Sequence, residues 1–196
     1  MTYFHGEDIT HTYFEGWYLK HQKGSKTIAL IPAFHIDNKG KRTASIQIVT
    51  NDNSHSIYFK KGRFKVNPNL FCVKVGDNVF SEKGISVNIK TKGIAVKGKL
   101  KYSSLTLLES DIMGPFQYIP FMQCNHGVLS LTHRLKGTLI INGESYDFTG
   151  GTGYIETDWG RSFPDSYVWT QCNWNDKNDN SIMVSIAEIP FLGCKF

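Results

Sequence analysis

Short runs in which apolar and polar residues alternate recur along the whole chain, separated by glycine, asparagine and aspartate. No segment of a dozen residues repeats its apolar positions at the spacing of an α-helix. Tight turns are predicted at residues 37–40 and 141–144, the second because Asn-Gly tolerates positive φ angles. Many short strands joined by hairpins are typical of an antiparallel β-sandwich or β-barrel. The predicted strands cover residues 12–21, 27–36, 43–50, 56–66, 85–90, 94–102, 128–141, 145–148 and 181–189.

Size and composition suit one β-domain with aromatic side chains in its interior. The 196 residues are enough to bury a core, since a chain of this size hides roughly 70% of its unfolded surface. Aromatic residues make up 13% of the chain, which favours a sheet and an aromatic-lined cavity over a helical bundle. We therefore expect a single domain over residues 1–196.

The formal net charge of +5 comes mostly from lysine. Lys97, Lys99 and Lys101 alternate with apolar or small residues, as in a strand with one solvated face. The sequence contains no recognised DNA- or RNA-binding signature, so no nucleic-acid partner is expected.

Cysteine and histidine spacing predicts neither a redox motif nor a metal site. The four cysteines lie far apart and form no CxxC pair, and the N-terminal histidines match no metal-ligand spacing. No basic stretch leads into an apolar run near Met1, and no apolar run reaches the length of a membrane span. We expect free thiols, a cytoplasmic location and no membrane-spanning segment.

Two carboxylates in the segment 153–160 are the clearest candidates for acid–base chemistry. If this segment is a strand, Tyr154, Glu156 and Asp158 share one face. Neighbouring like charges and an apolar environment both raise the pKa of a carboxylic acid, which can then donate a proton. A surface pair, or a pair bridged by Arg161, is the alternative interpretation.

Two further features point towards the interior. His133 shares a face with several leucines of the strand 128–141, so it is either a hydrogen-bonded core residue or a group that tunes a carboxylic acid. Residues 13–18 hold four aromatic side chains and one acid. Glu15 and Trp17 share one face there, and a cavity lining accounts for both.

Several motifs together resemble the tocopherol cyclase family, which is related to the carotenoid hydratases. They are Tyr-Phe-Glu-Gly-Trp-Tyr at 13–18, Gly-Tyr-Ile-Glu-Thr-Asp-Trp-Gly-Arg-Ser-Phe-Pro at 153–164 and Trp-Thr-Gln-Cys-Asn at 169–173. Residues 113–116 and 126–133 are similar to the bacterial branch of the family. The resemblance spans nearly the whole sequence.

The resemblance implies a lipocalin-like antiparallel β-barrel or sandwich, usually with two modules, around an apolar cavity. Because the chain is short and ends at Phe196 without a polar tail, we expect the second module to be missing or incomplete. The implied activity is acid-catalysed ring closure of a prenylated quinol, or hydration of a similar double bond, without a cofactor. Glu156 matches the aspartate of the hydratase motif, while Ile155 and Thr157 replace its two histidines.

The resemblance and the residue patterns together assign expected roles. Glu156 or Asp158 is expected to be the catalytic acid, with His133 as its proton partner. The partner molecule is expected to be a hydrophobic small molecule, with transient membrane contact left open. The alternatives are a lipocalin-like carrier that binds such a molecule unchanged and a surface module for carbohydrate or protein contact. The expected substrate-binding residues are Phe14, Glu15, Trp17, Tyr154, Trp159, Trp169, Gln171 and Asn173.

Overall fold

The computed structural model describes residues 4–67, 69–119, 122–175, 179–188, 190–191 and 194–195. These residues contain many antiparallel strands, two short 3-10 helices and no α-helix. The 3-10 helices cover Lys61–Arg63 and Gly114–Tyr118. The strands are β1 Tyr13–Lys23, β2 Lys26–Ile36, β3 Arg42–Thr50, β4 Ser54–Lys60, β5 Phe64–Val66, β6 Cys72–Val75, β7 Asn78–Ser81, β8 Gly84–Lys90, β9 Ala95–Tyr102, β10 Cys124–Ile141, β11 Glu144–Asp147, β12 Thr152–Gly160, β13 Tyr167–Asn175, β14 Asp179–Ala187, β15 Pro190–Phe191 and β16 Cys194–Lys195.

Twelve of these strands form one antiparallel sheet. Its order is β4-β3-β2-β1-β12-β10-β9-β8-β7-β6-β5, and β11 pairs with β10 beside this path. β12 therefore lies between β1 and β10, so it joins the first strands of the chain to the later ones. Among the described residues, the order is open between β4 and β5.

The sheet curls around a single large core. Trp17 and Leu19 of β1 and Leu30 of β2 belong to the same buried cluster as Phe80 of β7 and Leu100 of β9. Because side chains alternate along a strand, one face of nearly every strand enters this core and the other faces outward. We call these the inner and outer faces of the sheet.

β13 and β14 form a separate two-stranded sheet. It is held against the outer face by side chains on its inward side: Asn173 Nδ2 donates to the carbonyl oxygen of Leu131 at 3.0 Å. Lys20 Nζ of β1 donates to Gln171 Oε1 at 2.8 Å. This hairpin therefore covers the part of the sheet where β1, β12 and β10 run side by side.

Most predicted strands are present, and the β10–β11 turn has the predicted form, with Asn142 and Gly143 both at positive φ. The single strand predicted over 56–66 is wrong, because the 3-10 turn Lys61–Arg63 divides it into β4 and β5. β6 and β7 were not predicted, since four-residue strands are too short for a clear alternation. No helix in the described part is long and apolar enough to cross a membrane.

Candidate active site

The predicted carboxylate face of β12 is confirmed as a single face of the strand, and it is the outer one. Glu156 lies opposite Tyr18 of β1 and Val128 of β10, and Asp158 lies opposite His126 of β10. Ile155 belongs to the core on the other side of the sheet. The register of three neighbouring strands therefore gathers the acids, a tyrosine and a histidine in one place.

His126 lies between the two carboxylates. Its Nδ1 is 2.8 Å from Asp158 Oδ1, and its Nε2 is 3.4 Å from Glu156 Oε2. Burial alone lowers the pKa of His126, but the hydrogen bonds and charges of Asp158 and Glu156 outweigh it and raise the pKa to about 9. The imidazole therefore carries two protons at neutral pH, and the proton on Nε2 has no hydrogen-bond acceptor within ideal range.

Glu156 is buried, with 5% of its surface exposed. Its Oε2 accepts hydrogen bonds from Tyr154 Oη at 2.7 Å and from Trp169 Nε1 at 3.1 Å. Burial and the charge of Glu156 raise the pKa of Tyr18 to about 12, and the same causes raise the pKa of Tyr154. Both phenols are therefore neutral and add no negative charge to the site.

The hairpin β13–β14 covers the site. Trp169, Gln171 and Asn173 alternate along β13 and all face the sheet. Gln171 Nε2 also donates to Asn173 Oδ1 at 2.7 Å, which fixes the amide beside Lys20. Burial lowers the pKa of Lys20. These contacts produce a polar site with an aromatic cover.

The structure brings together Tyr154, Glu156, Asp158, Trp169, Gln171 and Asn173 from the predicted set. It does not bring Trp17 to them, because Trp17 lies in the core on the inner face. Glu15 also lies on the inner face, where it accepts hydrogen bonds from Tyr13 Oη and the backbone N–H of His5, both at 2.8 Å.

Two other aromatic residues of the predicted set lie near the end of β12. Trp159 is on the inner face, where its ring stacks on His5 with centroids 4.3 Å apart. Phe14 is on the outer face opposite Gly160, stacked on Phe163 at 4.6 Å. Phe14 therefore lies on the carboxylate side of the sheet but beyond the hydrogen-bonded cluster.

His133 lies on the inner face, away from the carboxylates. Its Nδ1 is 3.0 Å from Ser130 Oγ, and its ring centroid is 4.3 Å from that of Tyr102. Burial and the neighbouring His21 lower the pKa of His133 to about 3, so it is neutral. The histidine that contacts the acids is His126. The predicted strand 128–141 did not include it, because β10 begins four residues earlier than predicted.

The main cavity is separate from the carboxylate cluster. It has a volume of about 720 Å³ and opens beside the loop that follows β9. Glu156 and Asp158 are not among the described residues that line it. Its wall reaches β10 at Gly127 and Val128, and Val128 lies opposite Glu156. The rest of the lining mixes polar and apolar residues. The apolar and aromatic ones are Phe71, Tyr102, Leu105, Leu107, Leu108, Ile112 and Leu129, and the polar or charged ones are Glu82, Lys83, Ser103, Ser104, Glu109, Ser110 and Asp111.

In the described part of the chain, no three His, Cys, Asp or Glu residues are grouped so that they could hold a metal ion. The outer-face site offers an imidazolium, two carboxyl groups, two phenols, an indole, the Lys20 amine and the amides of Gln171 and Asn173. Such a set can hold and transfer a proton while excluding water.

Residues 96–189 match a family model described as tocopherol cyclase-like. The matched segment runs from β9 through β14 and includes His126, Glu156, Asp158 and Trp169. The resemblance drawn from the sequence is confirmed over this segment. No curated protein matches the sequence significantly.

Two solved structures share the fold. A crystal structure of CghA with Sch210972 is 14% identical with a TM-score of 0.52, and the match covers 91% of this chain and 54% of that one. A crystal structure of kievitone hydratase from Nectria haematococca is 14% identical with a TM-score of 0.53, covering 95% and 59% respectively. This chain therefore spans just over half the length of either protein. The two structures confirm the antiparallel all-β, lipocalin-like fold class.

Proposed function

We propose that this chain, which is tocopherol cyclase-like over residues 96–189, catalyses acid-promoted addition to an isoprenoid double bond. The reaction is cyclisation of a prenylated quinol, an intramolecular lyase or isomerase reaction, or hydration of a similar bond. The observation that carries this proposal is the position of His126, 2.8 Å from Asp158 Oδ1 and 3.4 Å from Glu156 Oε2, with Trp169 Nε1 on the same Glu156 oxygen. Burying such charged groups costs free energy, and groups with shifted pKa values cluster at functional sites.

The proton follows a short path in this scheme. The Nε2 proton of His126 passes to Glu156 Oε2, and Glu156 then donates it to the less substituted alkene carbon. The π electrons form the new C–H bond and leave a tertiary cation. The phenol oxygen, or water in a hydration, forms the C–O bond and loses a proton, which returns to Glu156 and His126. Bonds and charges balance without electron transfer.

The aromatic side chains around Glu156 suit a cationic intermediate. Tyr18 packs edge-on against Trp169 at 5.4 Å and against Tyr154 at 6.4 Å between ring centroids. A desolvated aromatic face stabilises a cation by about 2 kcal/mol. The hairpin also excludes water, which limits hydration when cyclisation is the productive outcome. Gln171 keeps its proposed role of orienting the quinol head group.

The proposal also retains the expected domain, partner molecule and location of the chain. It takes residues 1–196 as a single tocopherol cyclase-like domain and a prenylquinol or another isoprenoid as its partner molecule. A cytoplasmic location is also part of the proposal. Glu156 and Asp158 keep their proposed catalytic roles. His126 takes the place of His133 as the proposed proton partner, because only His126 contacts both acids.

Turnover of prenylated quinols tests the proposal. The purified protein is incubated with quinols of different head groups, and chromanol or hydrated product is measured by chromatography. We expect Glu156→Gln to lower turnover about a thousandfold and His126→Gln about a hundredfold, the range of general acid catalysis. Unchanged substrate with every head group, or full turnover by Glu156→Gln with Asp158→Asn, would refute the mechanism.

Glu144→Gln is the matched control for Glu156→Gln. Glu144 also accepts a hydrogen bond from a tyrosine two residues along its strand, Tyr146, but both side chains are outside the site. The same chemical change at this exposed pair is expected to leave turnover within about twofold of the wild type. A comparable loss in both variants would show a general effect on folding.

A carrier of hydrophobic molecules is the second candidate, because the 720 Å³ cavity is separate from the carboxylates. A carrier would return prenylquinol unchanged and would bind it equally well after Glu156→Gln. Ser104→Trp, at the rim of the cavity, would then weaken binding at least tenfold by occupying its space. Product formation that depends on Glu156 would exclude the purely passive carrier.

A further inference from the structure

The outer face of six neighbouring strands is basic, and no acidic residue lies on these strands. The six strands β5, β6, β7, β8, β9 and β10 are consecutive neighbours, and none contains Asp or Glu. Outward positions on these strands carry exposed lysines. We call this surface the lysine face. Its lysines are Lys65, Lys74, Lys90, Lys97, Lys99, Lys101 and Lys136.

Strand pairing places several of these charges next to each other. Lys65 lies directly opposite Lys74, and Lys101 lies directly opposite Lys136. Like charges in such positions destabilise a sheet. A surface kept for solubility alone could intersperse acids, as most solvated faces do, and this face does not.

Acids at the border do not neutralise the lysine face. None of its seven lysines forms an ion pair with a described residue. Asp147 of β11 adjoins the face, but its carboxylate is paired with Lys23 at 2.8 Å. The positive potential of these strands therefore extends into solvent.

We propose that the lysine face docks on an anionic lipid bilayer. Lysine is a compact point charge that suits lipid phosphate and needs no bidentate geometry. Ile140, which is 44% exposed and lies opposite Lys97, provides an apolar contact within the face. A single-stranded nucleic acid would require aromatic stacking platforms, and no outward position of these strands carries an aromatic side chain.

The face is continuous with the outer-face site through one strand. β10 carries His126 near its start and Lys136 ten residues later, which is about 30 Å along an extended strand. The β13–β14 hairpin reaches β10 at Arg134, which lies two residues before Lys136 and pairs with Asp179, so docking through Lys136 brings this end of the hairpin close to the bilayer. The proposal stands independently of the proposed activity, because binding requires no turnover.

Vesicle sedimentation tests the proposal with the purified chain. Vesicles of phosphatidylcholine alone are compared with vesicles that contain about 30% phosphatidylglycerol. We expect binding only to the anionic vesicles, and its loss between about 0.05 M and about 0.5 M salt. The triple variant K97Q/K99Q/K101Q is expected to lower the affinity by about two orders of magnitude.

The matched control is K39Q/K41Q/K60Q, which removes the same charge from exposed lysines outside these strands. We expect it to retain affinity within about threefold of the wild type. Equal losses in the two triple variants would overturn the proposal in favour of a net-charge effect. Equal binding to neutral vesicles, absence of vesicle binding, or tighter binding to an oligonucleotide would also overturn it. Glu156→Gln should bind vesicles like the wild type.

Discussion

At the scale of the residue, the charge state of His126 decides what the site can do. A neutral imidazole would leave Asp158 and Glu156 as two adjacent buried acids without a cation. Its pKa of about 9 instead gives the cluster one positive charge at neutral pH and a proton near Glu156. His133, whose pKa is lowered to about 3, has the opposite environment only seven residues later on the same strand.

His126 makes stability depend on pH in a defined direction. Its pKa is raised from 6.5 to about 9 by folding, so the native state keeps a proton that the unfolded chain releases between these values. The stabilisation is fully present below pH 6.5 and is lost as pH rises towards 9. We expect a loss on the order of 2 kcal/mol over this interval, measured by urea unfolding at successive pH values.

The control for this prediction is His126→Gln, whose free energy of unfolding should vary much less between pH 6.5 and 8.5. Below pH 6.5 the buried His21 and His133, with lowered pKa values of about 4 and about 3, act in the other direction. Stability is then lost as pH falls, in both proteins. A wild-type profile that stays flat above pH 6.5 would contradict the raised pKa.

Residue patterns predicted which side chains share a face, but not which face is enclosed. The alternation of Tyr154, Glu156 and Asp158 followed from the strand itself. Their burial comes from β13, whose contact with Lys20 joins residues 151 positions apart in the chain. No local pattern contains that information. Gly153 is a second example of a contact that the local sequence does not indicate. A Cβ at this position would lie 2.2 Å from His133 Nε2.

At the scale of the element, β10 and the β13–β14 hairpin determine the site. β10 pairs with β12 along most of its length, but register shifts between Val128 and Ser130 and between Ser130 and His133 change which residues face inward. A pattern of alternating residues does not show where such a bulge lies, because no particular residue type marks the extra residue. The sequence therefore predicted the strand but neither its start nor its irregular centre.

The hairpin depends on few side chains, so its attachment can be tested directly. Asn173 is 7% exposed and donates to the carbonyl oxygen of Leu131. Asn173→Ala should cost about 1 to 2 kcal/mol, because that carbonyl loses its partner. Faster amide hydrogen exchange is expected in residues 167–174, with little change in β2 and β3.

Thr170→Ala is the control for this experiment, since Thr170 is exposed on the same strand and faces away from the sheet. Its exchange should match the wild type. If Asn173→Ala accelerates exchange equally in β2 and β3, the hairpin is not a separate unit held by this bond. The result would then indicate global destabilisation.

At the scale of the whole molecule, charge is distributed unevenly over the two halves of the sheet. The acids of the sheet strands are Glu15, Glu156 and Asp158, on β1 and β12, together with Glu144 and Asp147 on β11. The charged residues of strands β5 to β10 are lysines, the exposed Arg134 and the protonated His126. Alternation predicted a solvated face for β9 from Lys97, Lys99 and Lys101. The extension of this solvated face over six strands could not be predicted from alternation. It depends on the sheet order, which places segments distant in sequence side by side.

This asymmetry predicts that salt stabilises the isolated protein. Repulsion within the lysine face acts between solvent-exposed charges, which dissolved ions screen with a Debye length of about 10 Å at 0.1 M. Raising the ionic strength from about 0.01 M to about 0.2 M should therefore increase the free energy of unfolding by about 0.5 to 1 kcal/mol. In K97Q/K99Q/K101Q the increase should fall by at least half, whereas K39Q/K41Q/K60Q should keep it. Urea unfolding at fixed pH measures all three proteins. A salt response that is the same in both triple variants would mean that the repulsion is spread over the whole surface, and that neighbouring lysines on these strands do not interact measurably.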